Sequence, residues 1–185
     1  MNTFKYILLL SFAGSVGFIS CEKDPQVPNE EELITTLIYT LTPQSGGDPI
    51  VFSFRDIDGD GGQEPVIVQG QLDSNTVYNG VIQLLNESVT PANDIITEIQ
   101  EEATEHQFFY MVSDVNASFD YADQDADNQP IGISTTVTTG GTSDGSMTIV
   151  LRHLPDKFAA GVKEGDILNA GGETDIEVSF FLIVE

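Results

Sequence analysis

The sequence has no tryptophan, one cysteine, two histidines and only six basic residues in 185. Each scarcity excludes something. With Cys21 as the only cysteine, no intramolecular disulfide can form. With six Lys and Arg against 30 Asp and Glu, the net charge is −24. A surface of that sign repels phosphate, so nucleic acid is excluded as a partner, whereas cations are attracted. Without tryptophan there is no aromatic platform of the kind that stacks on sugars. The zinc-protease motif H-E-x-x-H and the nucleotide-binding glycine loop are both missing. The chain reads as non-enzymatic.

What is present begins with a segmented N-terminus. Lys5 precedes the apolar run Tyr6–Phe18, and Ile19-Ser20 leads into Cys21. That order is a charged region, an apolar region and a cleavage zone with a small residue before the cut. The run falls short of the roughly 20 residues that a spanning helix requires. Residues 1–20 therefore read as a signal peptide. The residues before Cys21 resemble a bacterial lipobox, which makes this cysteine the site of lipidation. Residues 21–32 follow as an acidic tether, with Pro25, Pro28 and a single apolar side chain, Val27. Such a stretch buries too little surface to offset its ordering entropy.

From Leu33 onward the dominant signal is alternation with period two. Leu33, Thr35, Leu37, Tyr39 and Leu41 share one face, and Ile50, Phe52 and Phe54 share another. Further strands are expected at 66–68, 77–86, 107–113, 115–121, 131–139, 147–153 and 175–184. β-branched and aromatic residues fill these runs, and Gly, Pro, Asn and Asp separate them. One short helix is expected at 95–103, where Ile95 and Ile99 lie four apart, although so acidic a stretch also suits a solvated loop. Many short strands with little helix predict an all-β domain over 33–185. The expected form is an antiparallel β-sandwich of immunoglobulin-like or related topology.

Two loops repeat alternate aspartates. Asp56, Asp58 and Asp60 run into Gly61, which is the first half of an EF-hand-type calcium loop, and Glu64 stands at the ninth position. The twelfth position is Ile67, so the match is partial, and Asp-Gly is also a strong turn signal by itself. Asp123, Asp125 and Asp127 repeat the spacing, with Asn128 in place of the glycine. Close carboxylates repel, and a bound Ca2+ would relieve that. A second candidate is a transition-metal site at His106 and His153, the first opening one strand and the second closing another, both on the apolar parity. Nothing in the sequence brings these two rings together.

The segments Asn29–Thr36, Phe54–Gly61, His106–Tyr110 and Gly171–Val178 together resemble a group of small lipoproteins of Bacteroidota-type bacteria. The resemblance spans most of the mature chain and carries no characterised activity. Members are often labelled as having a type 1 periplasmic-binding fold, a two-lobed α/β architecture at odds with this strand pattern. They tend to be encoded near TonB-dependent receptors. The resemblance therefore implies an outer-membrane lipoprotein, on the periplasmic or cell-surface face, accessory to an uptake receptor. A structural or adhesive surface lipoprotein is the alternative. In either case, replacing Cys21 with serine is expected to move the protein from the membrane to the soluble fraction. A serine variant that still sediments with membranes would remove the lipid anchor.

Overall fold

The computed structural model describes residues 32–59 and 61–185. The expected signal peptide, Cys21, the expected tether through residue 31, and Asp60 lie outside the described residues. The described chain folds into eleven strands and one short helix. The strands are β1 (Thr36–Pro43), β2 (Ile50–Arg55), β3 (Val66–Val68), β4 (Gln71–Leu72), β5 (Val77–Asn86), β6 (Asn93–Asp94), β7 (His106–Ser113), β8 (Ala117–Tyr121), β9 (Ser134–Thr139), β10 (Ser143–His153) and β11 (Glu173–Val184). Helix α1 is Ile95–Glu101, and two 3-10 turns follow at Val162–Glu164 and Ile167–Asn169.

Alternation decides which way each strand faces. In β5, Tyr78, Ile82 and Leu84 are buried, and Asn79, Val81 and Gln83 point to solvent. In β11, Val178, Phe180, Leu182 and Val184 are buried, and Phe181 is half exposed. Two sheets bring these inner faces together. The larger runs β3-β2-β1-β5-β9-β8, with β6 added to β5; the smaller runs β4-β11-β10-β7. Pairing is antiparallel throughout except for the two-residue parallel contact of β4 with β11. The all-β sandwich expected from the sequence is the observed architecture.

The core is one cluster drawn from both sheets. Phe52 of the larger sheet meets Phe180 of the smaller edge to face, with ring centroids 5.6 Å apart. Tyr39 packs on Tyr110, which stacks on Phe119 at 5.3 Å. Each such side chain contributes roughly 1.5–3 kcal/mol by leaving water. The Tyr39 hydroxyl cannot be buried unpaired, and it shares a 2.6 Å hydrogen bond with Thr135. Gly80 makes that arrangement possible, since a Cβ there would lie 2.4 Å from both hydroxyl oxygens.

Helix α1 forms as its residues require. Asp94 caps it by accepting a hydrogen bond from the Ile96 amide, and Ile95 and Ile99 bury its one apolar face. Phe109 faces away from the main core, yet it is fully buried. It joins Val150 of β10 in a second cluster, which Val162 and Ala170 from the long connection after β10 cover. One expectation fails at the first strand. Leu33 is 59% exposed rather than on the core face, because regular pairing starts only at Thr36. Strands β4 and β6, two residues each, were too short to leave a periodic signal.

Candidate functional site

The register of β10 builds the most concentrated group of functional side chains. In the antiparallel pairing of β10 with β7, His153 stands directly opposite His106. Directly opposed residues place their Cβ atoms about 4.5–5.5 Å apart. The two imidazoles accordingly stack, with centroids 4.8 Å apart and planes 12° from parallel. Stacked rings direct their in-plane lone pairs along separate lines, so the two histidines do not chelate one ion together. The two rings that the sequence left apart do meet, face to face.

The partners that His106 faces are Glu32 and Asp175. Its Nε2 lies 3.3 Å from Glu32 Oε1 and 3.9 Å from Asp175 Oδ2. All three side chains are withdrawn from solvent. Three elements position them. Glu32 sits on the segment leading into β1. His106 opens β7, and its Nδ1 lies 3.2 Å from the Glu102 carbonyl at the end of α1. Asp175 comes from a β-bulge in β11. Leu151 of β10 pairs with Ile176 and Arg152 pairs with Thr174, so Asp175 is the extra residue. Regular alternation would give it the outward parity of Glu177 and Ser179. The bulge turns it inward toward His106, as bulges do where a side chain must be re-aimed.

A groove of about 600 Å3 adjoins this group, bounded by Leu33–Thr35, the turn Asp56–Gly59 and the stretch Thr174–Glu177. Asp56, Asp58, Asp175 and Glu177 bring four carboxylates to its walls. Neither Glu32 nor Asp175 stood out in the sequence. Glu32 looked like the last residue of a solvated tether, and Asp175 gains its orientation from a bulge that no local pattern announces.

The two aspartate loops differ sharply. In the first, Asp56 Oδ1 accepts from the Gly59 amide at 2.9 Å, and Asp58 Oδ2 from the Gln63 amide at 3.1 Å. These bonds shape a turn and leave further carboxylate oxygens toward solvent. Asp56, Asp58 and Glu64 line a cleft of about 310 Å3 together with Ile57 and Val66. In the second loop, Asp123 accepts from the Gly132 and Ser134 amides at 2.7 and 2.8 Å. Asp125 Oδ1 accepts from the Asp127 and Gln129 amides, and its Oδ2 accepts from Lys157 Nζ at 2.9 Å. Lys157 also donates to the carbonyls of Ala103 and Pro130. A lysine ammonium thus sits against the middle carboxylate of this loop. Asp127 lies exposed at its rim.

Burial opposes ionisation of Asp125, but the Lys157 ammonium and the two amides outweigh it and hold the carboxyl below its ordinary value. For Lys157, burial lowers the ammonium's pKa and Asp125 works against that. The two shifts act oppositely on stability. The Asp125 shift governs acid sensitivity, because three N–H donors carry it.

Gly141-Thr142-Ser143-Asp144-Gly145 has the spacing of a hydrolase nucleophile elbow. The structure places it where the chain crosses from β9 in the larger sheet to β10 in the smaller one, with no helix following. Ser143 Oγ accepts from the Asn116 amide at 2.8 Å. His153 stands at the far end of β10, roughly 3.4 Å per residue away along the strand, out of reach as a base.

Among the described residues, no helix is long and apolar enough to cross a membrane. Comparison with family models, with curated proteins and with solved structures finds no match for this chain. The function is therefore argued from the geometry alone.

The Asp125–Lys157 pair generates a prediction in two parts. Replacing Asp125 with asparagine strands a buried ammonium and is expected to cost about 3–5 kcal/mol at neutral pH. The folded pKa of Asp125 lies below the unfolded value of about 3.9. Its contribution is therefore complete above that pH and lost as pH falls through the folded value. Melting temperature followed from neutral to acid should show a shallower acid limb in the variant. An acid limb identical to that of the unaltered protein would exclude the pair as its source.

Proposed function

We propose that this chain is a non-enzymatic, lipid-anchored envelope protein whose β-sandwich docks a protein partner, accessory to an outer-membrane uptake receptor of the TonB-dependent class. Cys21 supplies the anchor and the acidic segment behind it the spacing. The observation that carries the reading is the edge strand β3. Among the described residues it pairs only with β2, and Val66, Ile67 and Val68 are 60%, 43% and 48% exposed. An open edge offers unpaired N–H and C=O groups to another strand, and proteins usually blunt such edges with charge or proline. Here three β-branched side chains stand uncovered instead. Strand addition by a partner would satisfy the backbone and cover those side chains.

The acidic cleft beside β3 defines the chemistry of that partner. Asp56, Asp58 and Glu64 adjoin Val66, so a strand flanked by basic residues fits the edge. Structural calcium is proposed for the first loop alone, at Asp56, Asp58, Asp60 and Glu64. Titration of the chelated protein with calcium should release heat that Asp58→Asn abolishes; no heat removes the proposal.

Replacing Ile67 with lysine is expected to abolish copurification of a receptor barrel from solubilised membranes and to leave the folding stability within about 0.5 kcal/mol of the parent, as for exposed sites generally. Recovery of the same barrel with the lysine variant would exclude β3 as the docking edge. Recovery of an envelope protein other than a receptor would favour the adhesive alternative.

A further inference from the structure

We infer that Glu32, His106 and Asp175 form a binding site for a divalent transition metal of the zinc type, one that fastens the start of the domain to its second sheet. This goes beyond the docking function and does not depend on it. The argument begins with His106. The ring is completely buried, and its Nδ1 faces the Glu102 carbonyl at 3.2 Å. A carbonyl only accepts, so Nδ1 carries the proton. In the neutral ring Nε2 is then a bare lone pair.

That lone pair points at two carboxylates. Nε2 has no hydrogen-bond partner, and neither has Glu32 Oε2, although both atoms are buried. Two buried polar atoms left without partners, His106 Nε2 and Glu32 Oε2, set up a conflict whose cost burial magnifies. A cation placed among them removes the conflict. The ligand atoms of the three residues all lie within 4.8 Å of one another. A tetrahedral ion with bonds of about 2.0–2.1 Å holds its ligand atoms about 3.3–3.4 Å apart. The His106–Glu32 distance of 3.3 Å already has that value, and the 3.9 Å to Asp175 needs only a small inward movement.

The donor set selects the metal. One imidazole nitrogen with two carboxylates suits zinc, cobalt or nickel, with a fourth position left for water. Calcium prefers six to eight oxygens and is disfavoured here. The carbonyl on Nδ1 is the outer partner that metal-binding histidines ordinarily have, fixing the tautomer and the ring. The neighbouring groove supplies a route: Asp56, Asp58 and Glu177 lie along it and draw cations toward Asp175. The bulge at Asp175 gains a reason as well, since it delivers the third ligand. An ion here ties the segment before β1, in the larger sheet, to β7 and β11 in the smaller one. The metal would thus secure the point from which the membrane tether departs.

The test uses the full chain carrying Cys21→Ser, so that no thiol contributes, stripped of metal with chelator. Cobalt(II) alone is added first, then zinc(II). One equivalent of cobalt should give the intense visible absorption of four-coordinate geometry, and zinc should displace it and raise the melting temperature. Loss of an outer partner typically weakens metal binding 10–100-fold, so Glu32→Gln and Asp175→Asn should each weaken zinc binding at least about tenfold. Asp58→Asn should leave it unchanged. His106→Gln should abolish binding; if that variant does not fold, the two isosteric acid variants decide. Absence of the cobalt spectrum overturns the proposal, and so does zinc affinity indifferent to both Glu32→Gln and Asp175→Asn.

Discussion

The register of β10 is the constraint on which the rest of this structure depends. It lies between β7 and β11 and pairs with both along most of its length. Its inner side chains Met147, Ile149 and Leu151 face the larger sheet, while Val150 faces the second layer. A shift of one residue would exchange those faces and expose the core. The same register sets His153 against His106 and forces the bulge that turns Asp175 inward. Core packing and the histidine–carboxylate group therefore follow from one pairing.

Charge is the second theme. A chain with so many acids and so few bases must distribute its repulsion. The structure does this in two ways. Most carboxylates stay at the surface, where water and salt screen them. Asp125 is instead buried against Lys157, whose ammonium also satisfies two carbonyls from other segments. That one lysine joins the loop after β8, the end of the helical segment and the connection after β10. At His106 the side chains that approach Nε2 are the carboxylates of Glu32 and Asp175. The contrast between these two buried sites is what gives the second its metal-binding character.

The layered architecture was legible in the sequence because alternation is a local property. Runs such as Tyr78–Leu84 and Val178–Val184 display their buried face every second residue, and Asp94 with Ile95 and Ile99 displays a capped amphipathic turn. Legibility stopped where neighbours in space are distant in the chain. The Asp123–Asp127 spacing looked like a calcium loop, and only the fold shows that Lys157 sits against its middle carboxylate. His106 and His153 were visible as candidates, but their stacking depends on strand pairing. Glu32 and Asp175 were invisible, one hidden among the tether's acids and the other dependent on a bulge.

By itself the sequence determined the single cysteine, the acidic character, the strand content and the inward face of each long strand. Those properties rest on composition and on a period of two, both readable within a few residues. Only the tertiary structure decided which strands adjoin, which acid meets a lysine and which meet a histidine, and which edge stays open. These are matters of register and loop closure between segments many residues apart, and they are set by the packing of the whole core rather than by any stretch of it.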